Sequence, residues 1–343
     1  MRKRWLLSVL LVPALALAAP ASAQTAQPSR PGAEDADAAQ ARAEAWQAYG
    51  LRVARALARS DGARDLALAA VLDAMARPPG EGAGTGDEAR RWRAEAASKG
   101  AGDVITQQLL LAAGLVGGSQ DEAAEAARRW QALEPGNLAP VMLQGLGTEA
   151  VLAAAARANH NRPDPYPLQR WIAGALRAHP PTAAEWSAFG EGERPSDAVH
   201  AAIWAASFPA LLLPDYRDVL AACTGRPLRA AGRAEACRRM ADLLLARPQT
   251  VLDERIGLSL AGAQADAATA AALDARARGV DWRQEQLRAL AQREDGGDDA
   301  LLARLLADPA IDSEDAMARR MLAEAGMAQE PPAEWRAPWQ RRR

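Results

Sequence analysis

Glu122-Ala123-Ala124-Glu125-Ala126-Ala127-Arg128-Arg129-Trp130-Gln131-Ala132-Leu133 sets the pattern for the whole chain. Alanine, leucine, glutamate and arginine are strong helix formers. Here Ala123, Ala126, Ala127 and Trp130 recur at three- and four-residue spacing, which places them on one helical face. The same composition fills most of the 343 residues. β-branched residues are sparse and never alternate over a strand's length, so the fold class reads as all-α, in antiparallel helix pairs. Hydrophobic residues make up 49%, enough at this length to build a real core and too many for wholesale disorder.

Outward from this stretch, apolar periodicity and end signals predict a succession of helices. Before it they fall at 35–60, 63–77, 87–99 and 102–115. After it they fall near 137–157, 167–179, 182–189, 196–213, 215–223, 233–246 and 250–262. The last are predicted at 264–278, 282–293, 298–307 and 313–325. Thr250 and Ser313 stand where N-caps belong, and Gly326 stands just past a C-terminus. Pro78-Pro79 ends the second helix, and Gly80, Gly82, Gly84 and Gly86 punctuate the stretch before the third. No strand precedes these glycines and no Gly-Lys-Ser/Thr comes after them, so they read as a linker and not a nucleotide loop.

Trp46, Trp92, Trp130, Trp171 and Trp204 recur at drifting intervals, and Ala89-Arg90-Arg91-Trp92 is echoed by Ala127-Arg128-Arg129-Trp130. One large ring per two-helix unit would fill the wedge between stacked hairpins. Ala126-Ala127, Trp130, Ala132-Leu133 and Glu134-Pro135-Gly136-Asn137, followed by a helix carrying Gly145, resemble the end of one tetratricopeptide unit and the start of the next. Val141, Gln144 and Thr148 depart from that family's preferences, and the match covers about residues 122–147. The resemblance implies a TPR-like α-solenoid with a concave face for a peptide or protein. It implies no catalytic residue.

The N-terminus reads as a secretory signal over 1–23. Arg2, Lys3 and Arg4 precede a short apolar run, and Ala21-Ser22-Ala23 gives a small-x-small cleavage site before Gln24. The run is too short for the ~20 residues of a bilayer span, and no later stretch is continuously apolar for that length. These features predict a periplasmic or secreted mature chain with no integral membrane span. Its remaining organisation reads as a disordered leader (24–34), helical-hairpin repeats (35–160), a second helical region (161–329) and a Trp/Arg-rich tail (330–343). Trp335, Trp339 and Arg341-Arg342-Arg343 in that tail suit either an anionic surface or fold-back over the last hairpin. In an oxidising compartment Cys223 and Cys237, the only cysteines, form a disulfide joining two successive helices; the alternative is two reduced core thiols.

Lys plus Arg number 41 against 43 Asp plus Glu, so no basic footprint points to nucleic acid. No Gly-x-Ser-x-Gly elbow, His-Glu-x-x-His helix, EF-hand loop or Walker lysine occurs. His160, His179 and His200 are too scattered for metal-ligand spacing, and neither a metal nor a cofactor is expected. Carboxylates alternate with arginines at helical spacing, which reads as a solvated face. The best local candidate for a site is His160-Asn161-Arg162-Pro163-Asp164-Pro165-Tyr166-Pro167 together with the helix it leads into. A proline-stiffened loop beside Tyr166, Arg170, Trp171, His179 and Trp186 has the composition of a binding hot spot, or of a domain linker with Trp171 in the core. The reading is a non-enzymatic exported scaffold that binds a protein or peptide in the cell envelope. Its rival is an all-α hydrolase or lyase with scattered acid and histidine catalysts.

Overall fold

The computed structural model describes residues 33–77, 86–190, 194–293 and 299–337. The signal segment, nearly all of the leader, most of the glycine linker, Trp339 and the terminal arginines lie outside the described residues. Regular structure within them is helical, and one isolated parallel bridge pairs Asn137 with His160. In chain order the α-helices are α1 (Ala33–Ala58), α2 (Ala63–Met75), α3 (Asp87–Lys99), α4 (Val104–Val116), α5 (Gln120–Leu133), α6 (Ala139–Met142), α7 (Thr148–Ala155) and α8 (Pro165–Arg177). They continue as α9 (Ala183–Ala188), α10 (Asp197–Ser207), α11 (Arg217–Cys223), α12 (Arg233–Ala246), α13 (Val251–Gly262), α14 (Ala267–Ala291), α15 (Asp299–Ala307) and α16 (Glu314–Glu324).

The start signals act as side-chain caps. Thr250 accepts from Asp253 N–H, Ser313 from Ala316 N–H, and Thr182 closes a reciprocal capping box with Glu185. Four predicted helices differ. The one expected over 137–157 stops at Met142, and Gly145 takes a left-handed φ of +69° before α7 begins. The one over 196–213 gives way at Ser207, where Pro209 continues it as a 3₁₀ turn over Phe208–Leu212. Conversely, 264–278 and 282–293 fuse into α14, because neither proline nor a cap interrupts Arg278-Gly279-Val280-Asp281.

Packing centres on two helices without a solvent face. Leu66 to Ala74 of α2 are buried without a break, as are Thr106 to Gly114 of α4. Helix α2 packs on α1, α3 and α4, and α4 packs on α5. At Gly114 a Cβ would stand 2.7 Å from Ala123 N, so only glycine permits the α4–α5 approach. This first core also takes in α8, α10, α15 and α16, and so draws on both sides of residue 160. A second core joins α6, α7, α11, α12 and α13. At its centre Cys223 and Cys237 are disulfide-bonded, with Cα atoms 5.5 Å apart, tying α11 to α12.

The five spaced tryptophans do not share one environment. Trp130 is wholly buried and Trp92 nearly so, whereas Trp46, Trp171 and Trp204 are half-buried. Trp46 and Trp204 meet with ring centroids 5.6 Å apart, so these two fill one gap and not two. Among the described residues no single helix is long and apolar enough to cross a membrane; Asp197–Leu212 and Arg217–Cys223 reach that length only across a 48° bend.

This packing sets two stability measurements. Trp130→Ala should cost about 3–5 kcal/mol in chemical denaturation, and Trp171→Ala distinctly less, because only the first empties a closed site. Reducing Cys223–Cys237 should cost roughly 3 kcal/mol by loop-closure entropy, and thiol labelling of the denatured, unreduced protein should modify neither cysteine.

Candidate functional site

Helix α8 opens on Pro165 at its first position, with Asp164 held left-handed at φ 44°. The loop before it consumes its own polar groups. Asn137 donates to Arg162 O at 2.8 Å and accepts from Arg162 N at 2.9 Å. Gln108 donates to Pro163 O at 2.8 Å, and Gln249 both accepts from Asp164 N at 2.6 Å and donates to Asp164 Oδ1 at 2.9 Å. The loop is a joint between helices.

The expected binding residues go to three places. Tyr166 is buried, and desolvation raises its hydroxyl well above the ordinary phenol range. Arg170 donates to the carbonyls of Ile311 at 2.9 Å and Asp308 at 3.3 Å, bracing the α15–α16 turn. Trp171 lies half-buried with the Arg64 guanidinium 6.0 Å from its ring, and Arg64 is itself fixed by a two-pronged pair with Asp103. His179 contributes its backbone carbonyl, which accepts from the Tyr49 hydroxyl at 3.3 Å. Trp186 belongs to an aromatic cluster of α1, α9 and α10. It packs edge-on against Phe189 and His200, while Trp46 stacks on Phe189 at 3.7 Å.

His200 Nε2 lies 3.1 Å from the Tyr49 hydroxyl. That hydroxyl has one proton, already directed at His179 O, so the network assigns the neutral Nε2–H tautomer to His200 as donor. Burial lowers His200 to about 4 and raises Tyr49 far above the ordinary phenol range. This cluster holds an uncharged imidazole in a packed wall.

Two other places offer chemistry. The first is a cavity of about 20 Å³, room for about one water, between the proline loop, the 3₁₀ turn and α13. Tyr216 donates there to Asp253 Oδ1, and the other Asp253 oxygen is buried without a hydrogen-bond partner. Desolvation raises the Asp253 carboxyl above the usual carboxylate range.

The second is an open cleft of about 450 Å³, within the range of small-ligand sites, where the end of α12, α14, α16 and the segment after α16 converge. Arg247, Arg276, Arg283 and Arg319 line it, with Glu254, Asp315 and Glu330. Arg276 Nε meets Glu254 at 2.6 Å. Asp315 bridges two guanidiniums, at 2.6 Å to Arg283 Nε and 2.7 Å to Arg319 Nε. The Arg283 side chain is 7% exposed, so its geometry is set by the fold. Residues 328–335 run back along this wall: Arg278 donates to the carbonyls of Pro332, Ala333 and Trp335, and Trp282 Nε1 donates to Ala328 O at 3.0 Å. Of the two sites this cleft is the candidate, since it is open, of ligand size and lined by fixed donors.

The cleft is not legible in the sequence, because Arg276 and Arg283 carry the same helical spacing as any solvated charge. The one signal was Gly279 between them, a glycine flanked on both sides by helix-forming residues. No protein-family model matches the chain, and no curated protein or solved structure matches it.

The aromatic cluster generates a pH prediction. An imidazole held down at about 4 in the fold, against about 6.5 when unfolded, binds its proton only in the unfolded chain across that interval. Stability should therefore fall as pH drops from about 6.5 to about 4, by up to about 3 kcal/mol, and His200→Gln should flatten that part of a denaturation-versus-pH profile.

Proposed function

We propose that this chain is an exported helical scaffold, its helix pairs stacked in a TPR-like α-solenoid, which binds a protein or peptide partner in the cell envelope and catalyses no reaction. The charged cleft carries the reading. Its arginines and carboxylates arrive from separate helices and the tail and are oriented by one another, as recognition of a charged, extended segment requires. Sequence-adjacent packing of α1 on α2, α4 on α5 and α12 on α13 supports the hairpin part of the proposal. So does the turn after α5, where Glu134 accepts from both Trp130 Nε1 at 2.7 Å and Asn137 Nδ2 at 2.9 Å. The signal-like N-terminus and the cysteine pair support the compartment.

The rival reading, an all-α hydrolase or lyase, is favoured by one observation: Asp253, a buried carboxyl with a raised pKa beside Tyr216 at a cavity. The scaffold is preferred because that cavity admits about one water, whereas the cleft admits a side chain or more.

A photoreactive residue in place of Arg247, at the cleft rim, should capture one discrete envelope protein in the native host. The same residue in place of Arg128, on α5 away from the cleft, should not. Identical adducts from both positions, or none from the cleft, would overturn the proposal.

A further inference from the structure

We infer that the cleft is a carboxylate site, that Glu330 occupies it in the free chain, and that a carboxylate presented by a partner takes its place. The inference deepens the scaffold reading and rests on the cleft being the binding surface. It starts from the way Asp315 holds Arg283 and Arg319. Both guanidiniums give Asp315 their Nε edge, at 2.6 and 2.7 Å, which turns their Nη1 edges the other way. Those two Nη1 atoms converge on a single oxygen, Glu330 Oε1, at 2.8 Å from Arg319 and 3.7 Å from Arg283. Two forks fixed from behind and aimed at one point form a carboxylate receptor, and the buried Arg283 cannot swing away from it.

Glu330 fits the role of a placeholder. Its side chain is 65% exposed, its hydrogen bond with Arg319 at 2.8 Å is open to solvent screening, and its contact with Arg283 is too long for a hydrogen bond, so the two contacts together contribute little that an incoming carboxylate must replace. The strap that carries it is secured by other residues: Arg278 grips the carbonyls of Pro332, Ala333 and Trp335, and Trp282 grips Ala328 O. The Glu330 side chain can therefore leave while the tail stays docked. Gly279 keeps the floor open. A Cβ there would lie 3.2 Å from Arg283 Nη1 and 3.7 Å from Glu330 Oε2, in the space an outside carboxylate would use.

The carboxylate could come from a peptide C-terminus or from an acidic side chain, and calorimetry on the full mature chain separates them. The probes are N-acetyl-Ala-Ala-Ala as free acid, the same peptide amidated, and amidated N-acetyl-Ala-Glu-Ala. At least one carboxylate peptide should bind and the neutral amide should not; whichever binds names the source. Glu330→Gln should tighten that binding by about fivefold, by removing the competitor. Arg319→Gln should weaken it by about tenfold or more, and being half-exposed it tests the fork even if Arg283→Gln fails to fold. Equal binding of the amide, unchanged or weaker affinity in Glu330→Gln, or no binding to that variant at millimolar peptide would each overturn the inference. If the carboxylate peptides fail while the photoreactive residue at position 247 still captures a partner, this inference falls alone and the scaffold reading stands.

Discussion

The structure depends on α2 and α4 having no face to spare for water. A helix buried all round must satisfy every neighbour at once, and alanine is what makes that possible. Its small side chain lets backbones approach closely, and Ala67, Ala69, Ala70, Ala112 and Ala113 contribute that closeness here. The penalty is a shortage of apolar area, which Leu66, Leu68, Leu72, Leu109 and Leu111 make up from the same two helices. Most polar groups inside this centre find partners, although Gln107 Oε1 is buried without one. Arg77 grips Asp73 from one turn on, Gln107 donates to Gly100 O at 2.8 Å, and Gln108 reaches across to Pro163 O. That last bond links the buried centre to the loop that launches α8.

Arginine does the corresponding work at the periphery. A guanidinium has five donors in a rigid fork and can serve a carboxylate and a backbone carbonyl together. Arg52 does so, holding Glu185 at 2.7 Å and Pro180 O at 2.9 Å; Arg276 does so with Glu254 and Leu245 O. Arg170, Arg239 and Arg278 donate to carbonyls in the loops that come after helices, where backbone acceptors have no helical partner. A lysine would serve these positions less well, because its three donors radiate from one atom and do not match two acceptors set along a planar fork. The near-absence of lysine from residues 24–343, where Lys99 stands alone, is thus put to structural use.

How much of this could be read from the sequence divides along physical lines. Helix existence and most boundaries were legible, because caps and breakers act over three or four residues: 87–99 and 233–246 match α3 and α12 end to end. Helix continuity was not legible where it hinges on a single glycine. Gly145 turns left-handed and leaves the helix, while Gly279 stays inside α14, and the two differ only in what surrounds them. The site was the least legible part. Tyr166, Arg170, Trp171, His179 and Trp186 are close in sequence and have hot-spot composition. However, α8 turns Tyr166 and Arg170 inward while α9 delivers Trp186 to another wall. Helical spacing can tell which side chains share a stripe. It cannot tell that a stripe of charges on α14 will be covered by α16 and by a tail that comes much later in the chain.

The first turn of α13 shows how the cleft acquires its geometry. Thr250 caps that turn, yet the N–H of Val251 is satisfied from outside, by Glu314 at 2.5 Å, while Glu314 N–H donates to Gln249 O at 3.0 Å. Helices α13 and α16 therefore start on each other, each supplying a partner that the other's N-terminus lacks. The next residues along α13 then fall on opposite sides of this joint. Asp253 turns into the apolar cavity toward Tyr216, whereas Glu254 turns into the cleft toward Arg276. On α16 the next residue after Glu314 is Asp315, which carries the two-arginine fork. A pair of docked helix starts, fixed by one backbone hydrogen bond and one from a backbone N–H to the Glu314 carboxylate, thus places Glu254 and Asp315, the acids that hold Arg276, Arg283 and Arg319. It follows that the arginines are aimed by the fold itself and need no ligand to assemble them.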